Sequence, residues 1–113
     1  EDMCAVCAPL KDADPDFPLT VEKRQGAPRP KPAKAGGSDH AYFAINGVPT
    51  IGFNLKDPKG YDFSYGEIWH TERDTYNKSI PEYQEHTAIC TAVVLYGLAN
   101  LDHILSREGL YAE

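Results

Sequence analysis

Positive charge is scarce: 11 lysines and arginines face 17 acidic residues, a formal net charge of -6 over 113 residues. A nucleic-acid binder needs clustered cations to displace counterions from phosphates, so this balance disfavours nucleic acid as a partner. Long apolar runs are also missing. The longest, Ala92 to Ala99, falls far short of the roughly 20 residues needed to cross a bilayer, so no membrane span is expected. Neither a Gly-x-Ser-x-Gly elbow nor a Gly-rich phosphate loop occurs, which leaves those two catalytic devices out. No initiator Met and no signal peptide precede Glu1-Asp2, so the chain reads as a mature product or a piece of something longer.

Cysteine is sparse as well. Cys4 and Cys7 make a single C-x-x-C, and a structural zinc site wants about four ligands; with no second pair, a local disulfide or two plain thiols is the expectation. Cys90, among Ile89, Val93 and Val94, reads as a buried thiol. What remains is the composition of one soluble folded domain, 42% hydrophobic and 25% charged, with aromatics along its whole length.

Proline dominates the first stretch, residues 1–37, at Pro9, Pro15, Pro18, Pro28, Pro30 and Pro32, and should keep it extended or irregular. Alternation over Phe17 to Lys23 suggests one strand within it. Ser38 then caps a short helix through Ile45, stopped by Asn46-Gly47. Val48 to Leu55 has the profile of a buried strand, and Lys56 to Lys78 that of a polar loop rich in rings. Ser79 as N-cap, Glu82 as its capping-box partner and Pro81 in the first turn announce a long helix reaching about Arg107. Its apolar stripe, Ile89, Val93, Gly97, Leu101, Ile104 and Leu105, is widened by Ala88, Ala92 and Ala99 until little of the middle should face water.

Of the four histidines, His86 and His103 lie in the long helical pattern without a second ligand at helical spacing, and His40 lies in the short helix. His70 differs. It sits in Trp69-His70-Thr71-Glu72-Arg73-Asp74-Thr75, an imidazole in an aromatic loop with a carboxylate four residues on that could orient it; equally, it could simply pack under Trp69.

The ordered motifs Gly37-Ser38-Asp39-His40-Ala41-Tyr42-Phe43, Gly47-Val48-Pro49-Thr50-Ile51 and Trp69-His70-Thr71-Glu72-Arg73-Asp74-Thr75, followed by a long helix, resemble the C-terminal part of the zinc aminopeptidase superfamily. That superfamily holds bacterial leucyl aminopeptidase, aminopeptidase Y, glutamate carboxypeptidase and the glutaminyl cyclases. The resemblance spans Gly36 to about Arg107. It implies residues 38–113 of an α/β fold, the C-terminal part of a three-layer α/β/α sandwich of the zinc exopeptidase type, with two zinc ions in the parent protein. It further implies that His70 is the last zinc ligand, that Trp69 lines the substrate pocket, and that Asp39 and Asp74 either support the ligands from behind or hold the loops. As plain residues, Asp39 is a first-turn helix acid and Asp74 a turn former. No catalytic residue of such an enzyme lies in this chain, since the other ligands and the base precede these motifs.

The function implied is a C-terminal fragment of a zinc-dependent exopeptidase, an aminopeptidase acting on peptide substrates and inactive by itself. A glutaminyl-cyclase-like acyltransferase is disfavoured by Ser38 and Gly52, where cyclases typically carry an acid and an imidazole. A non-catalytic interaction module on the same scaffold is the other reading. The partners implied are the missing N-terminal part of the same protein and, through the apolar long helix, a second copy. The resemblance points to an exported rather than a cytoplasmic protein.

Overall fold

A computed structural model describes residues 1–22 and 25–112. Among these residues four α-helices form: α1 (Asp2–Cys7), α2 (Asp39–Ile45), α3 (Tyr65–Ile68) and α4 (Pro81–Ala99), with 3-10 turns at Ala8–Leu10 and Tyr76–Lys78. Among the described residues there is no strand, and the one β-type pairing is a single bridge between Arg29 and Tyr111. The three-layer α/β/α sandwich is therefore not the architecture of this chain. The reason is that a strand exists only by virtue of a neighbour that takes its backbone hydrogen bonds. Val48 to Leu55 is strand-like in composition, yet it finds no such neighbour, and Ile51 and Phe53 stay exposed. The strand expected over Phe17 to Lys23 is likewise absent over its described residues, and Lys23 lies outside them.

The chain divides into two compact units. One comprises Glu1–Val21 and Phe53–Asn100, the other Glu22–Gly52 and Leu101–Glu113.

In the first unit, α1 packs on α4. Val6 meets Gly97, Leu10 shares a small cavity with His86 and Cys90, and Phe17 lies on Tyr83 and His86. Residues 6, 10 and 17 thus descend α4 from its C-terminal to its N-terminal end, so α1 runs antiparallel to it. Cys7, Leu10, Cys90 and Val94 form the buried core, with Met3, Val6, Leu19, Val93 and Leu98 packed against it. One expectation changes here. The opening residues are helical, because Pro9 stands in the first turn of the 3-10 segment, where its missing N–H is not needed. Of the two alternatives for Cys4 and Cys7, the plain thiols are present: Cys4 is exposed, Cys7 is buried, and all three cysteines are free.

Helix α4 starts one residue later than its capping-box pattern suggests. Pro81 at N1 holds Ile80 extended (φ -78°, ψ 111°), which makes Ile80 the boundary. The Ser79 hydroxyl takes a hydrogen bond from the Gln84 side-chain amide instead, and Glu82 turns to Lys59 and Tyr61. The helix ends well before Arg107, at Asn100, whose side-chain amide donates to the Tyr96 carbonyl at 2.8 Å. Only one side of it is buried, through Tyr83, Cys90 and Val94; Leu95 (61% exposed) and Tyr96 (73%) face outward. No helix among the described residues is long and apolar enough to cross a membrane.

In the second unit α2 follows its sequence signals. Ser38 occupies the extended N-cap position, though its side chain makes no capping bond. The Gly47 backbone is left-handed (φ 75°), and its N–H donates to the Ala44 carbonyl at 2.9 Å. Tyr42 and Phe43 are exposed on this helix.

Candidate functional site

The loop carrying His70 is built on one turn of helix. In α3, Ser64 occupies the extended N-cap position, and the Trp69 N–H closes the turn on the Tyr65 carbonyl at 2.9 Å. The carbonyls left unpaired at its end need donors. Thr71 provides one: its hydroxyl reaches the Glu67 and Ile68 carbonyls at 2.9 and 3.0 Å and accepts the Arg73 N–H at 3.2 Å. Arg73 Nη1 returns to Glu67 Oε1 at 2.9 Å, and the Asp74 N–H donates to the Thr71 carbonyl at 3.2 Å. Chain on both sides of His70 is therefore tied to α3.

His70 sits at the apex with φ 56°, a left-handed backbone that a residue with a Cβ adopts at a cost of about 1–3 kcal/mol. Its ring is exposed and meets the Trp69 ring edge-on, with centroids 4.4 Å apart and planes at 77°. Trp69 in turn stacks on Tyr65 at 6.3 Å, and both are largely exposed, 57% and 63%. The imidazole is presented at the end of an aromatic ledge.

Asp74 makes no hydrogen bond to His70; it lines an open groove of about 950 Å³ along α4 with Tyr76, Lys78, Thr87 and Leu95. Asp39 belongs to the other unit, exposed in the first turn of α2, where a carboxylate suits the helix N-terminus. Among the described residues no three His, Cys, Asp or Glu side chains converge as a metal site. A zinc ion in a catalytic site takes about three protein ligands, so His70 fits as one donor of a set and this chain's described residues do not complete it.

A second cluster escaped the sequence reading. The Asp57 carboxylate accepts the Tyr61 and Phe63 N–H groups at 2.9 and 3.1 Å and the Tyr83 hydroxyl. The Lys59 N–H donates to that same hydroxyl at 3.1 Å, the Lys59 ammonium pairs with Glu82, and the Tyr61 hydroxyl donates to Glu82 Oε2 at 2.8 Å. The Tyr83 hydroxyl, with the backbone donors, holds Asp57 below the usual carboxylate range, while burial and then Asp57 push Tyr83 up. Lys59 and Tyr61 hold Glu82 down. The cluster fixes the approach to α3. A local signal existed in Asp57-Pro58-Lys59-Gly60, an Asp-Pro-x-Gly turn whose carboxylate accepts following N–H groups, but nothing local pointed to Tyr83.

A family model described as Peptidase family M28 matches residues 16–94, well over half the chain, and includes the whole His70 loop. The chain belongs to this family, whose members are hydrolases of the peptidase class. No curated protein and no solved structure matches it.

Proposed function

We propose that the chain is the C-terminal portion of a zinc-dependent exopeptidase, an aminopeptidase, and that His70 is one of the parent's zinc ligands. The observation that carries this reading is the His70 backbone. A left-handed histidine, pinned on both sides and exposed at the end of a ring ledge, is costly to hold and does nothing for the core, which points to use of its imidazole. M28 peptidases are generally zinc-dependent. When bound, zinc acts as a Lewis acid toward a peptide carbonyl and makes water acidic enough to serve as a nucleophile.

This chain's own residues have narrower tasks. Thr71 and the Arg73–Glu67 pair hold the loop, so the imidazole is presented without further ordering of the chain. Trp69 and Tyr65 offer a flat apolar face to a substrate side chain and keep water from one side of the imidazole. Asp74, expected to orient the ring, turns to the groove instead. The remaining ligands and the general base come from outside this chain, so alone it binds zinc weakly and hydrolyses no aminoacyl substrate.

The test is zinc stoichiometry and aminopeptidase turnover of the intact protein as wild type, His70→Ala and His103→Ala. His70→Ala should lose or loosen one zinc and slow turnover by orders of magnitude. His103→Ala removes an imidazole held by Asp102 beyond α4 and should leave both unchanged. Wild-type zinc content and rate in His70→Ala would end the assignment.

A further inference from the structure

The core between α1 and α4 holds two thiols. Cys7 (4% exposed) and Cys90 (2% exposed) belong to one buried cluster with Leu10 and Val94. The antiparallel course of α1 places Cys7 between the Val6–Gly97 contact and the level of Leu10, which shares its cavity with Cys90. Cys90 is not sealed in. Cys90 is among the residues lining that cavity, about 230 Å³ in volume and bordered by Leu10, Asp14, Glu85 and His86. Both ring nitrogens of His86 lie 3.7 Å from Cys90 Sγ, and the ring is held by stacking on Phe17 at 4.0 Å and 21°.

We infer that Cys7 and Cys90 are an oxidisable thiol pair reached by a peroxide through this cavity, with His86 as the base beside Cys90. The His86 imidazole takes the Cys90 thiol proton, and the resulting sulfur attacks a peroxide oxygen. The O–O bond breaks, the departing hydroxide collects the proton from the imidazolium as water, and Cys90 carries a sulfenic acid. The Cys7 sulfur then attacks Cys90 Sγ; the S–O bond breaks, and the hydroxide leaves as water with the Cys7 proton. Two thiols lose two electrons, and one hydrogen peroxide becomes two waters.

The surroundings support this division of labour. Burial pushes both thiols up, so neither is a thiolate at neutral pH and Cys90 needs the adjacent base; the two belong to one buried core cluster. Cys4 is exposed and outside the core cluster. The product would bridge α1 to α4 and close a long loop, which constrains the unfolded chain strongly.

The experiment treats the reduced full-length chain, wild type and Cys4→Ser, with equimolar hydrogen peroxide and maps its peptides by mass without reduction. Both proteins should lose two hydrogens and yield a Cys7–Cys90 linked peptide pair that a dithiol reverses. Cys7→Ser should leave a Cys90 sulfenic acid that dimedone traps. His86→Asn should slow linkage by roughly tenfold or more, the scale on which a positioned base contributes. A link confined to Cys4, over-oxidation of Cys90 with Cys7 still free, or an unchanged rate in His86→Asn would overturn the proposal.

Discussion

The Tyr83 hydroxyl bonds twice across the first unit: it donates to the Asp57 carboxylate and accepts the Lys59 N–H at 3.1 Å. Its ring, among the most buried in the molecule, is surrounded by Phe17, Tyr61 and Phe63. One side chain of α4 thereby anchors both the segment that leads into α3 and the segment that follows α1.

Tyr83→Phe keeps the ring and removes only the hydroxyl, leaving the Lys59 N–H and one Asp57 lone pair without their partner. The variant should remain folded with Tm lower by several degrees, and the near-ultraviolet circular dichroism of the surrounding rings should change. An unaltered Tm would show that the hydroxyl's two bonds are replaced by water without loss.

Stability should fall at both ends of the pH scale. Asp57 and Glu82 are held below their ordinary values by Tyr83 and by Lys59 respectively, so their contribution is complete above about pH 4 and fades as pH drops through the depressed folded values. Tyr83 and Lys59 are raised, the first by burial and the second by Glu82; their contribution is complete below about pH 10 and fades as pH rises through the folded values. Urea midpoints from pH 2 to 12 should trace a plateau with two falling limbs, and Tyr83→Phe should flatten part of each. A midpoint that rises on acidification below pH 4 contradicts the scheme.

Gly97 should resist the smallest enlargement. A Cβ there would lie 2.5 Å from Val6 Cγ1, and valine is too stiff at χ1 to move aside. Gly97→Ala gains about 1 kcal/mol of helix propensity but costs about 1–3 kcal/mol in overpacking, so a net loss is expected in chemical denaturation. Adding Val6→Ala should return most of it. Equal stability of Gly97→Ala and wild type would mean that α1 shifts freely on α4.

The outward side of α4 leads to an expectation of self-association. Leu95, Tyr96 and the alanines along the groove present apolar surface whose burial contributes roughly 25 cal/mol per Å². Light scattering should show assembly rising with concentration, and Leu95→Lys should disperse it. A monodisperse wild-type chain across a wide concentration range speaks against this surface.

Local signals in the sequence reached as far as local physics does. Asn46-Gly47 and Pro81 announced their helix boundaries because a left-handed stop and a missing N–H act within a turn. The Trp69-His70-Thr71 loop stood out by residue type, although its left-handed backbone and the Thr71 bonds that hold it carry no signature in the residue order. The strand expected at Val48 to Leu55 failed for a different reason: apolar pattern expresses a preference for burial, and pairing depends on a neighbour elsewhere in the chain. Asp57 and Tyr83, 26 positions apart, were out of reach because only the fold brings them together.

The antiparallel seating of residues 2–10 on α4 also bears on how the molecule folds. Its principal core joins the first residues of the chain to those around 90–98, so that contact cannot form until almost the whole chain has been gathered. Helices usually shorten the search because their contacts are local. Here the helices are individually quick to form but their docking is not. Refolding should therefore run at the pace of a distant closure, slower than the helical content alone would suggest.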